Sequence, residues 1–483
     1  MLYESTRNAQ IKVSSIEAIL QGLASDGGLF FPRELPKLPS DVYSTTDFKK
    51  LAVLILKAWF DDFSKEEIVS CVHEAYTDRF DTEEIVPLVK VGDTFVAELF
   101  HGPTAAFKDI ALSLFPRLLV KAREKSGDPR DLVILAATSG DTGSAALCGL
   151  KDLPHIKIIT FYPDFGISKI QRLQMTTQDG KNQKVAAIQG NFDDAQNAVK
   201  HFFATRDPLD DVLYSSANSI NIGRLLPQIV YYVQTYNRLV RQGVVKQGSP
   251  VDFAVPTGNF GNILAGYLAK ATGLPIGKLI CASNKNHILS DFLETGVYDR
   301  NRAFHSTLSP SMDILISSNL ERLIWLLSDG DSTLIARLMD ELAKTGKYIL
   351  PKVLFSKLKE TFVGGFADDA ETLHTIREVY TKNAYLLDPH TAVAWHVAQN
   401  QPSINPVVVL ATASPYKFPA SIASAMGWEI EDDLALIEKI QTKTGILMPA
   451  CLASLKLKPI VHTDVLTQQE VDAYIRRVAK ELP

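Results

Sequence analysis

Residues 132–150 read LVILAATSGDTGSAALCGL. The run opens with apolar residues that favour a buried β-strand, passes through the glycine-rich turn 138–143, and ends in small and apolar residues that favour a helix. A second unit repeats the pattern, with an apolar strand at 251–255, the turn 256–262 and a helical run at 263–271. Strands that alternate with helices predict an α/β domain with a largely parallel sheet.

Each of the two turns is a candidate anion-binding site. Where a strand leads into a helix, exposed backbone N–H groups converge, the helix dipole favours negative charge, and glycine lets the backbone approach a ligand closely. Such a loop is also an ordinary feature of α/β proteins, so one turn alone is weak support for a ligand. Neither turn contains GxxxxGK[ST] or GxGxxG, so neither fits the nucleotide-binding motifs.

The stretch HGPTAAFKD, residues 101–109, contains a candidate covalent catalyst. Lys108 stands among small and apolar residues just before the apolar run 110–119. Burial disfavours the ammonium form, so the pKa of such a lysine falls toward neutrality and its amine can condense with an aldehyde. Taken alone, an ordinary lysine at a helix start is the simpler explanation. Together with two anion-binding turns, the lysine points to pyridoxal phosphate, with one turn for the cofactor phosphate and one for an anionic group of the substrate.

Four motifs, in this order, resemble those of the threonine synthase family. They are HGPTAAFKD at 101–109, ATSGDTGSAA at 137–146, SSANSINIGRLLPQ at 215–228 and PTGNFGN at 256–262. The resemblance spans nearly the whole chain. It implies the tryptophan-synthase-β-like fold (fold type II) of pyridoxal 5′-phosphate enzymes, an α/β fold with mostly parallel sheets flanked by helices. It also implies that a smaller, mobile domain and a larger one hold the cofactor between them.

The resemblance assigns cofactor-binding roles residue by residue. Lys108 matches the lysine that forms a Schiff base with the cofactor, and it is the expected catalytic base at the substrate Cα. Thr412 matches the hydroxyl residue that faces the pyridine nitrogen, although the sequence alone favours a strand-end turn hydroxyl. The cofactor phosphate is expected on the loop formed by Gly258, Asn259, Phe260, Gly261 and Asn262.

The turn 138–143 resembles the loop that binds the substrate α-carboxylate and flanks the phenolic oxygen of the cofactor. Ionised Asp141 would repel a phenolate, so Asp141 is either protonated or accepts hydrogen bonds while Ser139, Thr142 and backbone N–H groups bind the anion. The residues expected to bind the substrate are Thr138, Ser139, Gly140 and Thr142.

Other polar residues have two explanations each. Arg224, Lys285 and Arg322 could bind a substrate phosphate, but spacing selects none of them and surface salt bridges are the simpler explanation. The polar run 215–221 could equally cap the helix predicted at 224–236. His101 and His390 are interpreted as hydrogen-bonded structural residues.

Composition is that of an ordinary globular enzyme. The chain has 483 residues, of which 46% are hydrophobic and 22% charged, and its net charge of −5 gives no reason to expect nucleic acid or a membrane as partner. We therefore expect a cytoplasmic protein, a monomer or homodimer. The four scattered cysteines are interpreted as reduced, buried thiols, and no metal site is expected.

Four segments are predicted along the chain. Residues 1–95 are expected to be mainly helical, with helices at 15–23, 46–60 and 65–76. Residues 96–285 form the α/β region, with a smaller mobile subdomain at about 115–215. Residues 286–385 are expected to form a mostly helical insertion, and residues 386–483 to complete the large domain. Strands are predicted at 132–137, 156–162, 184–188, 251–255, 277–282 and 407–411.

The resemblance implies that the chain is a lyase, a threonine synthase that converts O-phospho-L-homoserine and water to L-threonine and phosphate in the last step of threonine biosynthesis. The main alternative is a threonine-synthase-like phospho-lyase that releases phosphate, ammonia and 2-oxobutyrate. The intact loop 258–262 favours the synthase. A non-catalytic protein that binds pyridoxal phosphate is the least favoured of the three, because Lys108, both turns and Thr412 are all present.

Overall fold

The computed structural model describes residues 1–190, 192–205 and 211–483. Its β-strands, in chain order, are β1 (Tyr3–Ser5), β2 (Lys12–Val13), β3 (Phe30–Pro32), β4 (Leu88–Val91), β5 (Thr94–Glu98), β6 (Leu132–Ala137), β7 (Ile156–Pro163), β8 (Gln183–Ile188), β9 (Leu213–Ser216), β10 (Val251–Pro256), β11 (Ile276–Ser283), β12 (Val297–Asp299), β13 (Lys347–Ile349), β14 (Phe362–Phe366), β15 (Val407–Ala411) and β16 (Asp464–Leu466).

The α-helices of the described residues are α1 (Ser15–Gln21), α2 (Phe48–Trp59), α3 (Lys65–Tyr76), α4 (Lys108–Ser126), α5 (Asp141–Leu150), α6 (Lys169–Thr176), α7 (Phe192–Thr205), α8 (Ile222–Leu225), α9 (Ile229–Arg241), α10 (Gly261–Ala271), α11 (Ile288–Thr295), α12 (Leu320–Leu327), α13 (Ser332–Thr345), α14 (Lys352–Thr361), α15 (Asp369–Asn383), α16 (Pro389–Gln399), α17 (Pro419–Met426), α18 (Asp433–Thr444), α19 (Ala450–Ala453) and α20 (Val471–Glu481). Short 3₁₀ helices lie at Ser40–Ser44, Leu226–Gln228, Pro310–Met312, Pro415–Lys417, Ser454–Leu457 and Gln468–Glu470.

Two sheets, both mainly parallel, organise the molecule. The larger has six strands in the order β14-β11-β10-β15-β5-β4, and β4 alone among them is antiparallel to its neighbour. The second has five parallel strands in the order β16-β8-β7-β6-β9. All six predicted strands lie within strands of these sheets. The predicted α/β architecture with mostly parallel sheets is therefore confirmed.

The first segment of the chain contains more strand than the sequence predicted. Strands β1, β2 and β3 form a small antiparallel sheet, and β4 joins the edge of the six-stranded sheet. The three predicted helices are present as α1, α2 and α3. Two of these begin with a capping box, in which Ser14 and Glu17, or Ser64 and Glu67, satisfy the backbone N–H groups of the first turn.

The end of the chain corrects one expectation. Residues 386–483 were expected to complete the large domain, but β16 pairs with β8 of the five-stranded sheet and α20 packs on the same sheet. The apolar face of α20, which includes Val471, Ile475 and Val478, is buried against side chains such as Val133. Covering this face of the sheet removes apolar surface from water, and that gain determines where the helix packs.

Two further findings concern the predicted insertion and the cysteines. The segment 286–385 supplies β14, an edge strand of the six-stranded sheet, among its helices.

All four cysteines are free thiols. Cys71 and Cys281 are buried, as predicted, whereas Cys148 and Cys451 are partly exposed, so the predicted burial of these two was wrong. Among the helices described here, none combines the length and apolar character needed to cross a membrane.

Close packing of α4 on α5 depends on Gly149. A Cβ atom at this position would lie 2.0 Å from the carbonyl oxygen of Leu112, which is backbone and has little room to move. We expect Gly149→Ala to lower the free energy of unfolding by about 2 kcal/mol, because the helices must separate. Gly261→Ala is a matched control, since its added methyl group would meet no atom closer than 3.5 Å. Equal melting temperatures of the two cofactor-free variants would contradict this account.

Candidate active site

A cavity of about 970 Å³ lies between the two sheets. Its lining includes Thr138, which follows β6 of the five-stranded sheet, and Thr257 and Thr412, which follow β10 and β15 of the six-stranded sheet. In parallel α/β sheets, ligands bind at the carboxyl ends of strands. The cavity therefore stands where the fold favours a ligand, and both sheets contribute to it.

Backbone hydrogen bonds place Lys108 next to the end of β15. The Phe107 N–H donates to the Thr412 carbonyl oxygen at 2.8 Å, and the Ser414 N–H donates to the Ala105 oxygen at 3.0 Å. Ala105 has a φ of 57°, a left-handed conformation that turns the chain into α4. Helix α4 begins at Lys108, and both Lys108 and Thr412 line the cavity.

The environment of Lys108 fits a reactive amine. Its Nζ lies 3.4 Å from Asp141 Oδ2 and 3.4 Å from Ser311 Oγ. Burial lowers the pKa of Lys108; Asp141 opposes the shift, and repulsion from Lys417 and Arg224 adds to it. A lowered pKa increases the fraction of neutral amine near pH 7, as an attack on an aldehyde requires.

The Asp141 carboxylate contacts two lysines and the side-chain amide of Gln171. Its Oδ1 accepts from Gln171 Nε2 at 2.8 Å and lies 3.0 Å from the Nζ of Lys417, a fully buried lysine that also donates to the Thr104 oxygen at 2.8 Å. Burial alone would raise the pKa of Asp141, but Lys417 and Lys108 outweigh it and hold this pKa well below its usual range. Of the two alternatives, the geometry favours an ionised Asp141 that accepts hydrogen bonds.

The turn that follows β6 is shaped by its own side chains. Thr138 Oγ1 accepts from the N–H groups of Gly140 and Gly143 at 3.0 and 2.9 Å. Gly140 has a φ of 123°, and a Cβ there would lie 2.7 Å from the Gln171 side chain. Thr138, Ser139 and Thr142 line the cavity. Thr138 thus supports the turn, while Ser139 and Thr142 are placed to meet a ligand.

The loop that follows β10 has the features of a phosphate site. It lies at the N-terminus of α10, where the first N–H groups have no partner within the helix. A Cβ at Gly258 would lie 2.6 Å from the Ser311 oxygen, so only glycine fits. Asn262 Oδ1 accepts from the hydroxyls of Tyr231 and Tyr232 at 2.6 and 2.9 Å, whereas its buried Nδ2 has no partner among the described residues. An orphaned donor at a helix N-terminus fits a bound phosphate.

The structure distinguishes the three basic residues that could bind a substrate phosphate. Lys285 is exposed. Arg322 is fully buried, and its guanidinium donates to Asn319 Oδ1 and to the carbonyl oxygens of Phe30 and Ile220. Arg224 is buried and lines the cavity, and its Nε has no partner in the part of the chain that the structure describes. Burial lowers its pKa to about 10. Arg224 is therefore the candidate for an anion in the cavity.

The turn at Ser311 is a part of the wall to which the sequence assigned no role. The Ser311 N–H donates to His390 Nε2 at 3.2 Å, and His390 Nδ1 lies 2.9 Å from Asp388 Oδ1. Asp313 fixes the other side of the turn by accepting from the Asn284 Nδ2 at 2.7 Å. His390 thus orients the wall, in line with its interpretation as a hydrogen-bonded structural residue.

His101, beside the lysine motif, takes part in a separate cluster. Its Nδ1 lies 2.6 Å from Asp81 Oδ1 and its Nε2 lies 2.9 Å from Glu98 Oε2. Burial would lower the pKa of His101, but these two carboxylates raise it to about 9. His101 is therefore hydrogen-bonded, as its interpretation as a structural residue predicts. Within the described residues, no group of three or more His, Cys, Asp or Glu side chains could hold a metal ion.

Three family profiles match successive parts of the chain. They are the threonine synthase N terminus at residues 2–76, pyridoxal-phosphate dependent enzyme at 82–413, and threonine synthase, C-terminal, at 391–470. The chain belongs to the threonine synthase family of pyridoxal-phosphate dependent enzymes.

Relatives and solved structures agree with this membership. Threonine synthase of Pseudomonas aeruginosa is 39% identical over 88% of this chain and 90% of its own length. Human threonine synthase-like 1 is 40% identical over 85% of this chain, which spans only 58% of that protein. The crystal structure of pyridoxal-phosphate-bound threonine synthase from Brucella melitensis superposes with a TM-score of 0.88 at 36% identity, and the match covers 99% of this chain and 100% of that one. The crystal structure of yeast threonine synthase superposes with a TM-score of 0.87 at 33% identity, and the match covers 99% of each chain.

In this threonine synthase family member, the buried pair of Lys417 and Asp141 is open to a direct test. We expect Lys417→Met to lower the free energy of unfolding by about 3 kcal/mol, because it leaves Asp141 buried with less compensating charge. The matched control is Lys344→Met, which breaks an exposed pair with Asp340 and should cost less than about 1 kcal/mol. Urea unfolding of both variants measures the difference. A Lys417→Met variant as stable as the control would contradict this expectation.

Proposed function

We propose that this protein is a threonine synthase that converts O-phospho-L-homoserine and water to L-threonine and phosphate, with pyridoxal 5′-phosphate as its cofactor. One observation carries the proposal: a single cavity presents a buried lysine, a helix N-terminus suited to a phosphate, and a second anion site at Arg224. Cofactor and substrate each bring a phosphate, so two separate anion sites beside one reactive amine match this pair of ligands.

The residues of the cavity fit the cofactor. The N–H groups at the start of α10, together with Asn262 Nδ2, would hold its phosphate, and the hydroxyl of Thr412 would face its ring nitrogen. Bound here, pyridoxal phosphate supplies an aldehyde that captures an amine and a ring that withdraws electrons from the substrate carbons. A hydroxyl stabilises a protonated ring nitrogen less than a carboxylate does. The proton transfers therefore depend strongly on bases of the protein.

Lys108 is the proposed base. With the cofactor bound, Lys108 would be a buried amine with a lowered pKa, placed to accept the Cα proton of the substrate. Conversion of phosphohomoserine to threonine also requires loss of a Cβ proton, departure of phosphate from Cγ, protonation of Cγ, addition of the hydroxyl group of water at Cβ and return of a proton to Cα. Ser311 Oγ, 3.4 Å from the Lys108 Nζ, helps to hold the amine within the cavity.

The two ends of the substrate have separate partners. Ser139, Thr142 and the N–H groups of the turn after β6 would bind the α-carboxylate, and Arg224 would bind the phosphate. Closure of the smaller domain at about 115–215 over the larger one would exclude bulk water and limit hydrolysis to a 2-oxo acid. The Schiff base, a cytoplasmic location and a monomeric or homodimeric state remain predictions.

Product analysis tests the proposed reaction. Purified protein is incubated with pyridoxal phosphate and O-phosphohomoserine, and threonine, 2-oxobutyrate and phosphate are quantified in one sample. We expect threonine to equal phosphate, and Lys108→Ala to lose the cofactor absorbance band and at least about 100-fold in rate. Lys181→Ala, at an exposed position, is the control. Phosphate with 2-oxobutyrate would identify the phospho-lyase, and no phosphate release would overturn the assignment of substrate.

Arg224 is tested by charge removal. We expect Arg224→Gln to lower kcat/KM for phosphohomoserine by about 10- to 100-fold, since a charge-assisted hydrogen bond to the leaving group is lost. Inhibition by inorganic phosphate should weaken in parallel. Arg241→Gln changes an exposed arginine of α9 and should leave both quantities unchanged. Weaker binding of pyridoxal phosphate, with substrate kinetics unaltered, would instead place Arg224 at the cofactor phosphate.

A further inference from the structure

The buried charges around Lys108 form a connected set. Asp141 lies between two lysines, with Oδ2 3.4 Å from the Lys108 Nζ and Oδ1 3.0 Å from the Lys417 Nζ. The side chain of Lys417 is fully buried, and those of Asp141 and Lys108 are 3% and 11% exposed. Charges this deeply buried interact strongly, because little water is present to screen them.

Lys417 and Asp141 belong to segments that follow strands of different sheets. Lys417 follows β15 of the six-stranded sheet, whereas Asp141 opens α5 after β6 of the five-stranded sheet. The backbone of Lys417 is also fixed, since its carbonyl oxygen accepts from Ser168 Oγ at 2.8 Å. Its ammonium group has only two partners among the described residues, Asp141 and the Thr104 oxygen. The carboxylate of Asp141 therefore provides much of the compensation for the buried charge of Lys417.

We propose that Lys417 is a positioning residue for the chemistry of Lys108: it takes up part of the negative charge of Asp141, so that Asp141 holds the Lys108 nitrogen without fixing a proton on it. The inference rests on the proposed function, in which that nitrogen must bind an aldehyde and then carry protons. Asp141 alone would stabilise the ammonium form of Lys108. Lys417 offsets this effect from the far side of the same carboxylate.

The other charged groups that face this set are few. Arg224 repels Lys108, and His390 lies near enough to Asp141 to influence its charge. Asp109 lies near Lys417, but its carboxylate accepts from Thr104 N at 2.8 Å and Thr104 Oγ1 at 2.6 Å. Among the described residues, Asp141 is therefore the carboxylate that contacts both Lys108 and Lys417.

The role of Lys417 predicts shifts of opposite sign. The holoenzyme is titrated by following the absorbance band of the lysine-bound cofactor, which changes as the Lys108 nitrogen loses its proton. We expect Asp141→Asn to move the midpoint down by about one to three pH units, because the counter-charge is removed and Lys417 remains. Lys417→Met should move it up, because the compensating cation is removed. Lys417→Arg keeps the charge and should remain close to wild type.

A structural role alone would not give this pattern. Far-UV circular dichroism shows which variants fold. If Lys417→Met does not fold, Asp141→Asn, which preserves the shape of the side chain, still tests the effect of the counter-charge. The double variant should return the midpoint toward that of wild type, since the counter-charge and the cation that opposes it are removed together. Shifts of the same sign, or a midpoint unchanged in Asp141→Asn, would overturn the inference. A wild-type protein with no cofactor band would instead contradict the proposed cofactor chemistry.

Discussion

The ion pair between Asp141 and Lys417 is the interaction on which the site depends, because it joins segments of the two sheets beside Lys108. Each residue follows a strand of a different sheet, and each is buried so deeply that the other is needed to offset its loss of hydration. The pair also fixes the place of Lys108, whose Nζ lies beside the second oxygen of the same carboxylate. Sheet packing and lysine reactivity are thus coupled through one side chain.

The parts of the fold that could be predicted from the sequence are those dictated by local pattern. Strands such as β6 and β15 are unbroken apolar runs, and burial on both faces of a parallel sheet requires such runs. Strand β14 has the sequence FVGGF and β16 has three residues, so neither carries a strong signal of its own. Both lie in sheets because a neighbouring strand offers hydrogen bonds. That information resides in tertiary structure.

The same distinction holds in the candidate site. The two glycine-rich turns and Lys108 could be selected because their chemistry is local: a turn, a helix start and an amine among apolar residues. Lys417 and Ser311 carried no such signal, and Arg224 could not be separated from Lys285 and Arg322. Their placement follows from long-range contacts, such as the approach of Lys417 to Thr104 and Asp141. The ionisation of Asp141 was open for the same reason, since it depends on a lysine of the other sheet.

The electrostatic balance of the cavity follows from these contacts. Lys108 and Arg224 line the cavity, and Lys417 and Asp141 lie close to Lys108, so three potential positive charges face one negative charge and the cavity favours anionic ligands. A lysine that acts as nucleophile and as base, as proposed for Lys108, cannot be held permanently charged, yet it needs a polar partner within a dry cavity. A carboxylate shared with a second lysine meets both requirements, because it accepts from the amine while part of its charge is already compensated. Under the proposed function, each phosphate that binds in the cavity would shift this balance and so link ligand binding to the protonation of Lys108.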